Sequence, residues 1–325
     1  MKRGRTIDIQ GTLLDYFSDE SLLNTLVLSR SSTQFTSYAP DSLNKLGGFW
    51  IDKRIGNYST YIDEDFFFLP SGNGELVAID KFSGIEMVLF DLGAAVSVGV
   101  CDSPGGLFVL TGTPINNGKS IDIDLCVCLC DKITGQKQFQ SQSMDGNFLP
   151  MVFDENLWVL VGKTIYKYSS ECELRSKADL KITPKFPVVV SENYVAVASD
   201  LGAMEIFSRN NLQISSRILV KKNSSPPIKT GYDRISWFAG SELYSVDLST
   251  GHMELVVDLK SNIASTPLYE KYLFVCDEIG NLIRINLEEK TVKRLHLGNQ
   301  PLWKPVLCDK YIFVAAKNKL YQIEV

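Results

Sequence analysis

Three groups of residues in this chain have types and spacings that could do chemistry. Cys126, Cys128 and Cys130 alternate with Val127 and Leu129, which sets three thiols on one face of one strand. Neighbours on such a face lie about 7 Å apart, too far for three thiolates to share a zinc ion at bonds of about 2.3 Å. Small buried packing residues are therefore expected there, and no structural metal. There are two histidines, His252 and His296, and their wide separation gives neither a metal-ligand spacing nor a nucleophile–base pair. The carboxylates Asp63, Glu64 and Asp65 read as solvated charge in a turn, and nothing selects a glycosidase-type pair from among the acidic residues. Aromatics that precede prolines form another group: Phe148 before Pro150, Phe186 before Pro187 and Trp303 before Pro305. They either cap the core between repeats or anchor a partner, since aromatic residues dominate interface energetics.

The elements that carry these residues recur. Five segments align as an apolar run, a short polar or Gly turn and a second apolar run: YVAVASDLGAMEIFS (194–208), LFVCDEIGNLIRIN (273–286), IFVAAKNKLYQIE (312–324), FFFLPSGNGELVAID (66–80) and ISWFAGSELYSVD (235–247). That is a β-hairpin pattern. The closing residues are Asp80, Asp131, Ser169, Ser208, Asp247, Asn286 and Glu324, at successive spacings of 51, 38, 39, 39, 39 and 38. The long interval contains a loop insertion at 112–124 (GTPINNGKSIDID). A weaker copy, TLVLSRSSTQFTSYA (25–39), puts an eighth anchor at Ala39. Upstream of each hairpin lies a short extended segment, often beginning at proline (Pro150, Pro187, Pro227, Pro267, Pro305), and downstream a fourth strand such as MELVVD (253–258). Four short antiparallel strands at a period near 40 are the pattern of a propeller blade.

The expectation is an all-β chain forming a single eight-bladed β-propeller domain over residues 1–325. The last copy ends after its third strand, and counting back from Ala39 places a strand at Thr6–Gly11 (TIDIQG). Residues 1–11 are therefore expected to close the ring by pairing with residues 320–325. The alternative is seven blades, with residues 1 to about 44 as an extension, because the first copy is the weakest and Leu13–Phe17 has no counterpart in the other copies. Helical periodicity is nearly absent, and 13–26 is the one stretch that tolerates a helical turn.

Charge and composition narrow the partners. Lys plus Arg number 33 against 38 Asp plus Glu, a net charge of -5, which argues against a nucleic-acid or anionic-membrane surface. The basic start at Lys2, Arg3 and Arg5 is followed by Asp8, Gln10 and Asp15 instead of an apolar segment, so no signal peptide is read there, and no run approaches the length of a membrane span. Seven cysteines, an odd number mostly within apolar strands, point to a reducing, cytoplasmic setting.

After three of the anchors the chain reads Asp80-x-x-Ser83-Gly84, Asp131-x-x-Thr134-Gly135 and Asp247-x-x-Thr250-Gly251. These turns resemble the repeat of the PQQ-like propellers, the superfamily that includes quinoprotein dehydrogenases and a cofactor-free outer-membrane assembly propeller. The resemblance implies the fold. Where that family has a docking tryptophan this chain has Val88, Phe139 and Leu255, so plain apolar packing is expected to lock the blades. The family's redox enzymes carry vicinal cysteines and a calcium site; this chain has no adjacent cysteines, and the resemblance implies a member that binds no PQQ, haem or metal.

The leading expectation is a monomeric, non-enzymatic interaction scaffold that grips another protein with the loop face of the propeller. A narrower version is a toxin-neutralising immunity protein, and the competing class is a carboxylate-dependent hydrolase or lyase working in the central channel. The expected partner-binding residues are Trp303, Phe186, Phe148, Asn116, Asn117, Lys119, Lys221 and Lys222, which combine the insert, the connections between blades and the 221–222 loop.

Overall fold

The computed structural model describes all residues except 20–21, 30–31, 52–60, 64, 71–74, 91, 93–95, 117–120, 221, 299–301 and 317–318. Among the described residues there is no helix, and the strands form eight antiparallel sheets, each built on a four-stranded meander that is consecutive in sequence in all but the last. Blade 1 comprises Thr12–Asp19, Leu22–Ser29, Ser32–Tyr38 and Lys45–Ile51. Blade 2 comprises Tyr61–Ile62, Phe66–Pro70, Leu76–Asp80 and Glu86–Leu89. Blade 3 comprises Val96–Ser103, Gly106–Asn116, Ile121–Cys130 and Lys137–Gln140, with Met144–Asp145 as a short fifth strand. Blades 4 to 7 begin at Val152, Val189, Ile228 and Leu268 and end at Asp179, Leu219, Asp258 and His296. Blade 8 has Val306–Cys308, Tyr311–Ala316 and Lys319–Glu324, and takes its fourth strand, Lys2–Asp8, from the N-terminus.

The eight-blade reading holds, and the seven-blade alternative falls because 12–51 forms a complete sheet. Leu13–Phe17, which had no counterpart in the repeat, lies in its first strand, and the described residues between 13 and 26 are strand instead of a helical turn. The closing strand lies earlier than the counting placed it. Thr6, Ile7 and Asp8 pair with Tyr321, Leu320 and Lys319, but Lys2 and Arg3 also join the ladder after an irregularity, while residues 9–11 lie beyond it. The basic start is thus strand, and the guanidinium of Arg5 donates to the Ser42 carbonyl at 2.6 Å.

The chain divides into two compact units. The larger (Met1–Trp50, Val189–Arg209, Ile214–Val325) holds blades 5 to 8 and blade 1, and the smaller (Ile51–Val188, Asn210–Gln213) holds blades 2 to 4. In each, the second and third strands are buried on both faces, whereas fourth strands are solvated; every residue of Lys137–Gln140 is exposed. Blade faces pack on each other. Leu125, Val127 and Leu129 join Leu157 and Val159 of blade 4, while Cys128 and Cys130, on the opposite face, join Phe68 and Ala78 of blade 2. Each such side chain contributes about 1.5–3 kcal/mol by leaving water. The three alternating thiols are therefore buried packing groups, and burial pushes the Cys128 thiol above its ordinary pKa.

The lock between blades is the apolar packing expected, but it does not use the docking positions. Phe139 and Leu255, where a docking tryptophan would stand, are half exposed. Polar groups also cross between blades. In the smaller unit, the Tyr61 hydroxyl of blade 2 donates to Asp102 of blade 3 at 2.6 Å, and Lys132 of blade 3 pairs with Asp102 and stands 5.5 Å from the Tyr61 ring centre. In the larger unit, Asp233 of blade 6 accepts from the Ser191 hydroxyl at 2.7 Å and the Asn193 amide at 2.8 Å in blade 5.

The Asp-x-x-Ser/Thr-Gly turns are explained by local hydrogen bonding. One carboxylate oxygen of Asp80 accepts from the amides of Phe82 and Ser83, and the same pattern recurs at Asp131 and Asp247. Gly84, Gly135 and Gly251 take φ of 73°, 70° and 70°, which a side chain disfavours.

Candidate functional site

In a four-stranded meander, the turn between strands two and three and the connection to the next blade lie at the same end of the sheet. In the larger unit that end carries a recess of about 590 Å³ lined by Leu201, Lys222, Asn223, Gly240, Ser241 and Asn262. Its shape follows from turn length. Blades 5 and 7 join their second and third strands through four residues, 199–202 and 277–280, whereas blade 6 uses two, Gly240 and Ser241. Two tall turns flanking a short one leave a depression. Both tall turns place an aliphatic side chain before a glycine, and these tips are open to solvent, Leu201 at 69% and Ile279 at 55%. Gly202 is required: its φ is +75°, and a Cβ there would lie 2.3 Å from the Lys222 carbonyl oxygen.

Fixed charge surrounds the floor. The Lys222 ammonium meets Glu242 at 2.5 Å, and the Tyr244 hydroxyl donates to the same carboxylate at 2.6 Å. Those two bonds hold the Glu242 pKa below its ordinary value. Asp258, paired with Lys260 and accepting from the Ser241 hydroxyl at 2.7 Å, is held lower still, and the Asn262 amide donates to Glu278 at 3.2 Å. Every described carboxylate whose pKa departs clearly from normal moves downward. The arrangement can offer aliphatic contact, backbone groups and ionised carboxylates to a ligand.

The expected binding residues are distributed over both units. Lys222 lines the recess. Trp303, in a connection at the same end of its unit, is 37% exposed; its ring lies 6.3 Å from that of the fully buried Tyr16, whose hydroxyl contacts the Lys304 carbonyl. Phe148 bridges to Val161 and packs on the core between blades 3 and 4, and Phe186 is half-buried. Both lie in the smaller unit. Asn116 ends the second strand of blade 3, opposite Ile121, so the described part of the insert continues the hairpin as strand at 112–116 and 121–124. Asn117, Lys119 and Lys221 lie outside the described residues.

Asp63, read as solvated charge, accepts from the amides of Asp65 and Phe66 and takes Lys81 on its carbonyl at 3.0 Å; Glu64 lies outside the described residues. His252 sits in the turn before the fourth strand of blade 6, and His296 ends the fourth strand of blade 7 with Nδ1 3.0 Å from Asn281. Sequence reasoning missed Leu201, Ile279 and the polar floor. The available signal was the pair Leu201-Gly202 and Ile279-Gly280 in turns two residues longer than that of blade 6.

No family model matches the sequence, and no curated protein matches it. Solved structures do match. BamB from Moraxella catarrhalis superposes with a TM-score of 0.71 over 99% of both chains at 13% identity. The computationally designed Ika8 protein superposes with a TM-score of 0.78 over 98% of both chains at 10% identity. At such identities the likeness concerns the fold alone. Together with the eight four-stranded sheets and the N-terminal strand that completes the last of them, it makes this chain an all-β protein with the eight-bladed β-propeller fold.

Proposed function

We propose that the chain is a cytoplasmic, monomeric, non-catalytic scaffold that binds another protein through the recess of blades 5 to 7. The observation that carries this reading is the solvent-exposed aliphatic tip Leu201 on the wall of a polar recess, with a second such tip, Ile279, on the corresponding turn of blade 7. Exposed apolar groups rimmed by polar ones characterise interaction sites. Lys222 and Trp303 would belong to this surface; Phe148, Phe186 and Asn116 of the smaller unit are proposed as partner contacts in their own right, as are Asn117, Lys119 and Lys221, which lie outside the described residues. The downward pKa shifts favour binding over a carboxylate-dependent hydrolase or lyase, which needs an acid that still holds its proton near neutrality. The cytoplasmic assignment is supported by seven free thiols, six of them buried. An immunity protein against a basic toxin is the narrower form, supported by the net charge of -5 and the ionised carboxylates beside the recess.

The test is recovery of a partner from the native host with the tagged chain, repeated with Leu201→Asp, Ile279→Asp and Trp303→Ala. Loss of one specific protein with the two recess variants is expected, while their melting curves stay unchanged. Undiminished recovery with all three would place the site elsewhere.

A further inference from the structure

We infer that the smaller unit carries a separate docking surface for a basic, amphipathic segment of a protein partner, formed by the third-to-fourth-strand turns of blades 2 and 3 and the groove beside them. These turns lie at the end of the sheet opposite to the second-to-third-strand turns, so this surface does not depend on the recess.

The turn geometry selects the residue that points outward. Where an Asp or Asn anchor accepts from the amides that follow it, the residue two places on is held at the tip. Blades 6 and 7 place Ser249 and Glu288 there, and blades 4 and 5, anchored at Ser169 and Ser208, have Glu171 and Asn210 at the same offset, all polar and exposed. Blades 2 and 3 place Phe82 and Ile133, exposed at 84% and 82%. The turn keeps the same backbone hydrogen bonds with a serine tip as with a phenylalanine tip, and the serine hydroxyl adds one to the anchor, so folding does not ask for the apolar pair. The adjacent lysines are drawn down to the sheet end, Lys81 onto the Asp63 carbonyl and Lys132 onto Asp102. Their charges are thus withdrawn from the tips.

From Ile133 the chain runs on to Phe139, itself 55% exposed, which lines a groove of about 630 Å³ between blades 3 and 4. Leu129 and Phe153 supply further apolar wall, and Glu155 and Glu171 stand at its edge. Glu171 is held ionised, its pKa lowered first by the Ser170 hydroxyl at 2.6 Å. An anionic lipid surface or an acidic peptide would meet these carboxylates as repulsion. A segment with apolar side chains on one face and Lys or Arg beside them satisfies both the groove and its edge.

The test uses the full chain and a short fluorescent amphipathic leucine–lysine peptide, with its leucine–glutamate counterpart as control. Binding of the basic peptide should weaken with salt, fall about tenfold or more in Phe139→Asp and fall severalfold in Glu171→Gln, whose fold is unaffected because the residue is exposed. Leu201→Asp should bind the peptide as the unaltered chain does, which separates this surface from the recess. Equal binding of both peptides, or undiminished binding in Phe139→Asp and Glu171→Gln, would overturn the inference. So would preferential binding to phosphatidylserine vesicles, or self-association abolished by Phe82→Ser.

Discussion

The turn after Asp80 and the turn after Asp247 are built alike and end differently. Each carboxylate accepts from the two amides that follow the next residue, each is closed by a glycine near φ 70°, and each returns the chain to a fourth strand. At the tip, one presents Phe82 to solvent and the other Ser249. The backbone bonds are the same in both, and the Ser249 hydroxyl adds a bond to its anchor that Phe82 has no group to make, so the turn does not require the apolar tip. What differs between equivalent turns is therefore where interaction chemistry can be written on a repeated frame.

This contrast between frame and tip can be broken most severely at the frame. Deleting residues 2–8 removes the fourth strand of blade 8, uncovers the edge of Lys319–Glu324 and strips Ile7 from the cluster around Phe313 and Leu320. Aggregation or loss of a single cooperative unfolding transition is expected in calorimetry, and an unaltered transition would show that the terminal strand is dispensable.

Acid tests the turn anchors, with a smaller effect. The Asp247 pKa is lowered from its ordinary 3.8 to about 2, first by the Ser249 hydroxyl and then by the Thr250 amide, and Asp80 and Asp131 are lowered by the same kind of bonds. Because the folded values lie below the unfolded ones, the stability these anchors supply is complete above pH about 4 and drains away as pH falls toward 2. In Asp247→Asn the melting temperature should therefore decline less steeply across pH 4 to 2 than in the unaltered chain. Parallel decline in both would mean that the carboxylate does not hold its turn.

The smallest effect belongs to the tip itself. Phe82→Ser should leave stability within about 0.5 kcal/mol of the original, the range for surface changes that touch no special feature. A larger loss in denaturant unfolding would mean that Phe82 has a folding role which its 84% exposure hides.

Much of the frame was legible because it rests on local chemistry. Period-two alternation, proline before the first strand and Asp-x-x-Thr-Gly after the third are each set within a few residues, so spacings near 39 reported the blades directly. The terminal pairing followed by subtraction, with an error of a few residues because either end of a strand ladder can lengthen without a change in the period. Phe148 and Trp303 were ambiguous for the opposite reason. An aromatic beside a proline looks the same in sequence whether it covers a core or waits for a partner, and the neighbours each one meets, Val161 for Phe148 and Tyr16 for Trp303, come only with the fold.

The chain's own order of residues therefore determined the sheet count, the strand order and the turn anchors, since each depends on contacts between residues close in sequence or on a repeat that can be counted. The tertiary structure alone decided that Gly240 and Ser241 form a floor, that Tyr61 reaches from blade 2 to the Asp102–Lys132 pair of blade 3, and that Phe139 lines a groove instead of locking blades. Those outcomes depend on the relative heights of turns some 40 residues apart and on which charges come within reach once the sheets pack. Neither quantity has a local signature, because both come into being only when separate repeats are brought face to face.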